Sequence, residues 1–328
     1  MTRRILIAAG AILWLAPLAA YVEATPRPLK VGRLSEGRAR PDLVELFRDT
    51  MRELGHTEVV IEIRDADGKL DRLPALATEL VQMGVDVICA HGSGATEVAK
   101  NATSKIPIVM VSLDAVGAGL VSNLARPGGN VTGLTLIGSD LARKRLELLV
   151  QMVPGSKRLT GVAHGVPGIR VADTQVVSDW IRQSEAAARV LRLPFTFAEI
   201  PPDPAAWDEP FASLAAVRGT ALSVIESPFF LTHRVRLAEL ASKYRLPAIY
   251  AFGEHVKAGG LLSYGVDSQY IIRRVAFYVS RIAQGAKPGA LPVEAPTQYD
   301  LTINLNAARA LGLSVPKTLL LRANVVTE

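Results

Sequence analysis

The chain has 328 residues, 49% of them hydrophobic and 21% charged, a globular balance that excludes disorder and allows two domains. Its formal charge is +6, but Lys and Arg are dispersed among acids and only 5% of residues are aromatic, which argues against a nucleic-acid partner. The single cysteine, Cys89, rules out an internal disulfide and reads as a buried thiol within the apolar run Val85–Ala90.

The N-terminus has the pattern of a secretory signal peptide over residues 1–24. Arg3 and Arg4 precede an apolar stretch from Ile5 to Ala20, and Val22-Glu23-Ala24 supplies small cleavage positions. The apolar part is short for a membrane span, and no cysteine lies nearby to carry a lipid. The expected location is the periplasm.

A strand–helix rhythm follows. Strands are predicted over Leu29–Leu34, Glu58–Arg64, Val85–Ala90 and Ile106–Ser112, with helices over Asp42–Leu54, Leu70–Met83 and Ala95–Thr103 between them. This alternation predicts a parallel sheet covered on both faces. The segment Gly117–Gly133, with its turn signal Arg126-Pro127-Gly128-Gly129-Asn130, reads as a break that ends the first lobe. The rhythm resumes with helices over Leu141–Met152, Ala172–Leu191, Pro204–Val217 and Thr232–Tyr244, and strands over Leu159–Ala163, Phe195–Ile200, Ala221–Ile225 and Ala248–Phe252. Leu261–Tyr264 reads as a strand leading back to the first lobe, followed by a helix over Ile271–Gln284, a strand over Tyr299–Ile303 and a helix near Asn306–Leu311. The fold class is therefore α/β, with two Rossmann-like parallel-sheet lobes joined by a multi-strand hinge. Lobe one is placed at 28–136 plus 266–291 and lobe two at 137–265 plus 292–328. Facing sheets of this kind put the carboxyl ends of their strands on either side of one cleft, where hinge closure buries a small ligand.

A series of motifs runs through nearly the whole mature chain, beginning with Ala66-Asp67-Gly68, Leu73-Pro74-Ala75-Leu76-Ala77 and Ile106-Pro107-Ile108-Val109. The most specific block is Gly119-Leu120-Val121 with Leu124 through Gly133. Leu246 through Tyr250, Ala258-Gly259-Gly260-Leu261, Gly285-Ala286-Lys287-Pro288 and Asn304 through Pro316 continue it. In their order and spacing these motifs resemble the tryptophan/tyrosine-type ABC transporter substrate-binding proteins, which have the type I periplasmic binding fold. The resemblance implies capture of a small molecule, of the amino-acid or aromatic class, for an ABC permease in the inner membrane. It implies a monomer with no cofactor, no metal and no enzymatic activity. Three loops depart from the family: Asp114-Ala115-Val116, His164-Gly165-Val166-Pro167 and Glu226-Ser227-Pro228. A sensory ligand-binding subunit would have the same fold.

Strand ends nominate the ligand-binding residues. In lobe one these are Ser35, then Ser93, Gly94, Ala95 and Thr96 in the loop after the third strand, then Asp114. Gly92 and Gly94 let backbone approach a ligand, and N–H groups opening the next helix favour a carboxylate. The alternative is an ordinary turn capped by Ser93. Asp114 suits a ligand ammonium or a turn with its own backbone. In lobe two the candidates are His164, Glu226, Ser227, Tyr250, Glu254 and Tyr264. Against catalysis, His56, His91, His164, His233 and His255 show no metal-binding spacing. Gly92-Ser93-Gly94 is not a nucleophile elbow, although a periplasmic hydrolase stays as a lesser alternative. Gly117-Ala118-Gly119 lacks the position and final glycine of a dinucleotide loop.

Overall fold

The computed structural model describes residues 27–136, 139–166 and 170–328, so the signal-peptide stretch 1–24 lies outside the described residues. The first lobe opens with β1 (Leu29–Ser35), α1 (Pro41–Glu53), β2 (Val59–Asp65), α2 (Leu73–Gln82) and β3 (Val87–His91). It continues with α3 (Ser93–Ala102), β4 (Ile108–Ser112) and β5 (Val131–Thr135). The five strands form a wholly parallel sheet in the order β2-β1-β3-β4-β5.

The uninterrupted apolar run of β3 explains its central place. Val87 and Cys89 face one layer of core while Ile88 and Ala90 face the other, and all four are buried. Both faces must then be covered. The α2–α3 side is filled by Leu73, Leu76, Leu80 and Ala99 against Ile88 and Met110. The opposite side receives Phe47 and Met51 of α1. It also receives Ile271, Val275 and Tyr278 from a later helix described below.

The second lobe begins with α4 (Ser139–Met152), β6 (Arg158–His164), α5 (Gln175–Val190), β7 (Phe195–Ile200), α6 (Asp208–Ala216) and β8 (Thr220–Val224). Then come α7 (Pro228–Thr232), α8 (Arg234–Lys243), β9 (Ala248–Tyr250), α9 (Gly253–Lys257) and β10 (Leu262–Gly265). Helix α10 (Ser268–Ala283) returns to cover the first sheet, and β11 (Asp300–Asn304), α11 (Leu305–Ala310), α12 (Lys317–Leu320) and β12 (Val325–Thr327) complete the second lobe. Its seven strands run β12-β11-β10-β9-β8-β6-β7, with β10 and β11 antiparallel.

Two expectations are corrected. The segment Gly117–Gly133, read as a break, runs into β5, an unpredicted edge strand buried along its whole length that is the last strand of the first sheet. Gly133 hides it from a propensity reading, yet glycine is required there: φ is 127° and a Cβ would lie 2.3 Å from the Met110 carbonyl oxygen. The strand near Leu261–Tyr264 does not lead into the first sheet but sits between β9 and β11 of the second. The chain crosses only afterwards, through Val266 and Asp267, where the Asp267 carboxylate caps α10 by accepting from the Tyr270 N–H at 2.9 Å. It crosses back after Glu294, whose backbone pairs beside Leu134 of β5.

Candidate ligand-binding cleft

A cavity of about 980 Å³ lies between the lobes. One wall is built from the carboxyl ends of β1, β3 and β4 and carries Ser35, Glu36, His91, Ser93, Gly94 and Leu113. The facing wall carries His164, Val166, Gln175, Glu226 and Ser227. From the cleft the cavity runs under α1 and α10 into an apolar pouch lined by Leu43, Phe47, Val111, Leu136 and Ile271. Polar groups gathered at the strand ends beside a largely apolar lining are the usual make-up of a small-molecule site.

The loop after β3 differs from its expected role. Helix α3 begins at Ser93, and Gly92 rather than Ser93 takes the N-cap position. The N–H of Gly94 donates to Glu36 Oε1 at 2.8 Å and that of Ala95 to the same oxygen at 3.3 Å. The anion at this helix N-terminus is therefore the protein's own carboxylate. Gly92 makes room for it: its φ is 111°, and a Cβ there would sit 2.3 Å from Glu36 Cδ. Burial pushes the Glu36 carboxyl up to about 7, against the opposing pull of the two N–H bonds. Ser93 stays in the wall, sharing a 3.0 Å hydrogen bond with Ser112 Oγ and accepting from the Leu113 N–H. Thr96 is fully buried and donates to the Gly92 carbonyl, while Ala95 packs in the core; neither side chain lines the cavity.

Asp114 also lies outside the cavity lining. Its carboxylate accepts from the Gly117 N–H at 2.9 Å, closing its own turn. Ser35 does line the cavity and accepts from the Gly37 N–H at 3.2 Å.

On the second wall, His164 Nδ1 points to the Gly165 carbonyl, which assigns its proton to that nitrogen and leaves Nε2 to accept from Ser227 Oγ at 2.9 Å. Burial lowers the His164 pKa to about 4, so the ring is neutral at pH 7. The Ser227 oxygen also accepts from the Phe229 N–H as the cap of α7. A weak base and a hydroxyl committed to a helix cap describe a positioning pair rather than an activated nucleophile.

Glu226 lines the cavity through a buried ion pair. Its Oε1 lies 2.7 Å from Arg145 Nη2, and Arg145 Nε donates to the Tyr264 carbonyl at 2.7 Å. Glu226 Oε2 is buried with no hydrogen-bond partner.

The remaining candidates sit elsewhere. Tyr250 is buried beneath the second wall, its ring stacked on His255 at 4.9 Å. The Tyr264 ring packs on Tyr299 at 5.7 Å. Glu254 is held 2.5 Å from Arg40 Nη1, and so joins the loop after β1 to α9 of the other lobe. A second link between lobes is the Arg38 N–H, which donates to Thr232 Oγ1 at 2.9 Å.

The arginines at this cleft were not singled out from the sequence. Arg33, Arg38, Arg40 and Arg234 line it: Arg33 is ion-paired with Asp65, Arg38 with Asp67, and Arg40 with Asp42 and Glu254, while Arg234 donates to the Leu231 carbonyl at 3.0 Å. Arg33 carried a readable signal, being a cation between Val31 and Leu34, which are buried in the core. Among the described residues no cluster of three or more potential metal ligands occurs.

Two α/β lobes closing on a small-molecule cavity define a binding protein of the type I periplasmic fold. The chain belongs to the family described as ABC transporter substrate binding protein, whose sequence model matches residues 30–168 and 220–327. It is similar to the tyrosine-binding protein of Clostridioides difficile, with 25% identity over 259 residues, covering 78% of this chain and 71% of that protein. Among solved structures it resembles a conserved domain protein from Vibrio cholerae, with a TM-score of 0.80 and 23% identity, covering 92% of this chain and 100% of that one. It also resembles an ABC domain from Streptococcus pneumonia in complex with L-Trp, with a TM-score of 0.78 and 21% identity, covering 91% and 99%. The protein is a substrate-binding component of ABC transport, and its family binds substrates without transforming them.

Proposed function

We propose that this protein works in the periplasm after removal of residues 1–24, as a monomer. It captures a small molecule between its lobes by hinge closure and presents it to a permease of the inner membrane. The observation that carries this reading is the cavity of about 980 Å³ walled by both lobes, because a ligand filling it contacts each and favours the closed arrangement. The apolar pouch under α1 and α10 suits a compact aromatic or branched body. The tyrosine and tryptophan named for two similar proteins support the same class. Lobe one is taken as 28–136 plus 266–291, extended by Val293, whose N–H donates to the Leu124 carbonyl, and Glu294, which hydrogen-bonds to β5. Among the described residues no helix is long and apolar enough to cross a membrane.

The test is a thermal-shift screen of the chain against amino acids, amines and aromatic acids, repeated on Val166→Trp, which places an indole in the second wall. A ligand at a hundred times its dissociation constant stabilises the native state by roughly 2.7 kcal/mol. The expected result is a shift with one chemical class, without turnover, that Val166→Trp removes while its circular dichroism stays native. An undiminished shift in that variant would place the ligand outside the cleft.

A further inference from the structure

We propose that the ligand has no carboxylate at the α3 end of the cleft and instead presents a hydrogen-bond donor, a primary amine on an apolar body, to Glu36. This rests on the reading of the interlobe cavity as the ligand site. It deepens that reading by naming the polar end of the ligand.

Four observations converge. The N–H groups of Gly94 and Ala95, which would hold a ligand carboxylate, are taken by Glu36 Oε1. Glu36 is only 9% exposed yet lines the cavity, and among the described residues its Oε2 has no hydrogen-bond partner. A second carboxylate with an uncommitted oxygen, Glu226 Oε2, lines the cavity from the other lobe. Of the four arginines that line the cavity, Arg33, Arg38 and Arg40 are matched by Asp65, Asp67, Asp42 and Glu254, and Arg234 donates to the Leu231 carbonyl at 3.0 Å.

An anion entering at α3 would meet the Glu36 carboxylate at close range beside apolar walls, where like charges repel. A donor would instead complete the hydrogen bonding of Glu36, and bonds to a charged group are among the stronger ones. The glycines show that this carboxylate is seated by the backbone. A Cβ at Gly92 would collide with it, and one at Gly94 would come within 3.1 Å of Oε1.

The experiment measures dissociation constants by calorimetry at pH 8.5, where a carboxyl raised to about 7 is ionised, for three matched pairs: tryptamine and L-tryptophan, tyramine and L-tyrosine, isoamylamine and L-leucine. The wild-type chain is compared with Glu36→Gln and Glu36→Ala, each checked for a cooperative thermal transition. In the wild type the best-bound amine is expected to bind at least about tenfold more tightly than its amino acid. In Glu36→Gln that amine should weaken by about 10- to 100-fold, as expected for losing a hydrogen bond to a charged group. In Glu36→Ala, with the helix N-terminus vacated, the preference should move toward the amino acid. An amino acid bound more tightly than its amine by the wild type, with that preference unchanged in both variants, would overturn the proposal. The Val166→Trp variant separates the two levels. If it abolishes binding of a ligand that proves to be a carboxylate, only this inference fails. If it leaves binding intact, the cleft reading itself fails.

Discussion

The buried pair Arg145–Glu226 offers a quantitative test of how the second wall is built. Arg145 comes from α4 and Glu226 follows β8, and their side chains are 2% and 3% exposed. Glu226→Leu leaves the guanidinium with the Tyr264 carbonyl as its remaining described partner. Arg145→Met leaves a carboxylate whose Oε2 already lacks a partner. Removing one member of a buried pair costs about 3–5 kcal/mol, because an uncompensated charge remains out of water. Replacing both with apolar groups removes both desolvation penalties and is often neutral or stabilising. Urea unfolding of the wild type, both single variants and the double variant closes the cycle. Each single change should cost about 3–5 kcal/mol, while the double variant should be much more stable than their sum predicts, by at least about 3 kcal/mol. Single costs below about 1 kcal/mol, or additive ones, would refute the argument that the pair is desolvated and mutually dependent.

Three further outcomes follow from the first wall. The Glu36 carboxyl, raised by burial to about 7, is protonated in the folded chain where the unfolded chain is already ionised; its stabilisation is full below about 4.5 and is lost as pH rises toward 7. Between those pH values the wild type should lose about 3 kcal/mol more than Glu36→Gln in urea unfolding, and parallel curves would sink the assignment. Gly92→Ala should destabilise by about 1–3 kcal/mol through its left-handed φ and its clash with Glu36, and less in a Glu36→Ala background, which a double-mutant cycle would show. Cys89 is 3% exposed and burial pushes its thiol up to about 12, so a thiol reagent at pH 8 should label it only on unfolding; rapid labelling of the native chain would contradict the packing under α1.

The sequence made legible what local pattern encodes. Apolar runs such as Val85–Ala90 imply a sheet covered on both faces, and strand ends implied the walls where Ser35, Ser93, Gly94, His164, Glu226 and Ser227 stand. Short elements escaped: β12 has three residues and α9 five, too few to show a period. The fates of Asp114, Tyr250, Glu254 and Tyr264 depended on partners that strand order does not reveal. Glu254 and Arg40 are 214 residues apart in sequence, and their pairing follows only from how the lobes meet.

The loop after β3 shows where the reasoning from sequence stopped one step short. A helix N-terminus favours an anion, but that rule does not say whether the ligand or the protein supplies it. The glycines at 92 and 94 were legible as a close approach; what approaches is Glu36, 58 residues earlier than Gly94. Once the protein fills its own anion site, the electrostatic preference at that end of the cavity reverses. The same two N–H groups that would have selected a carboxylate hold in place the group that rejects one. The local loop pattern therefore says little about the ligand's charge until Glu36, the residue that follows β1, is considered with it.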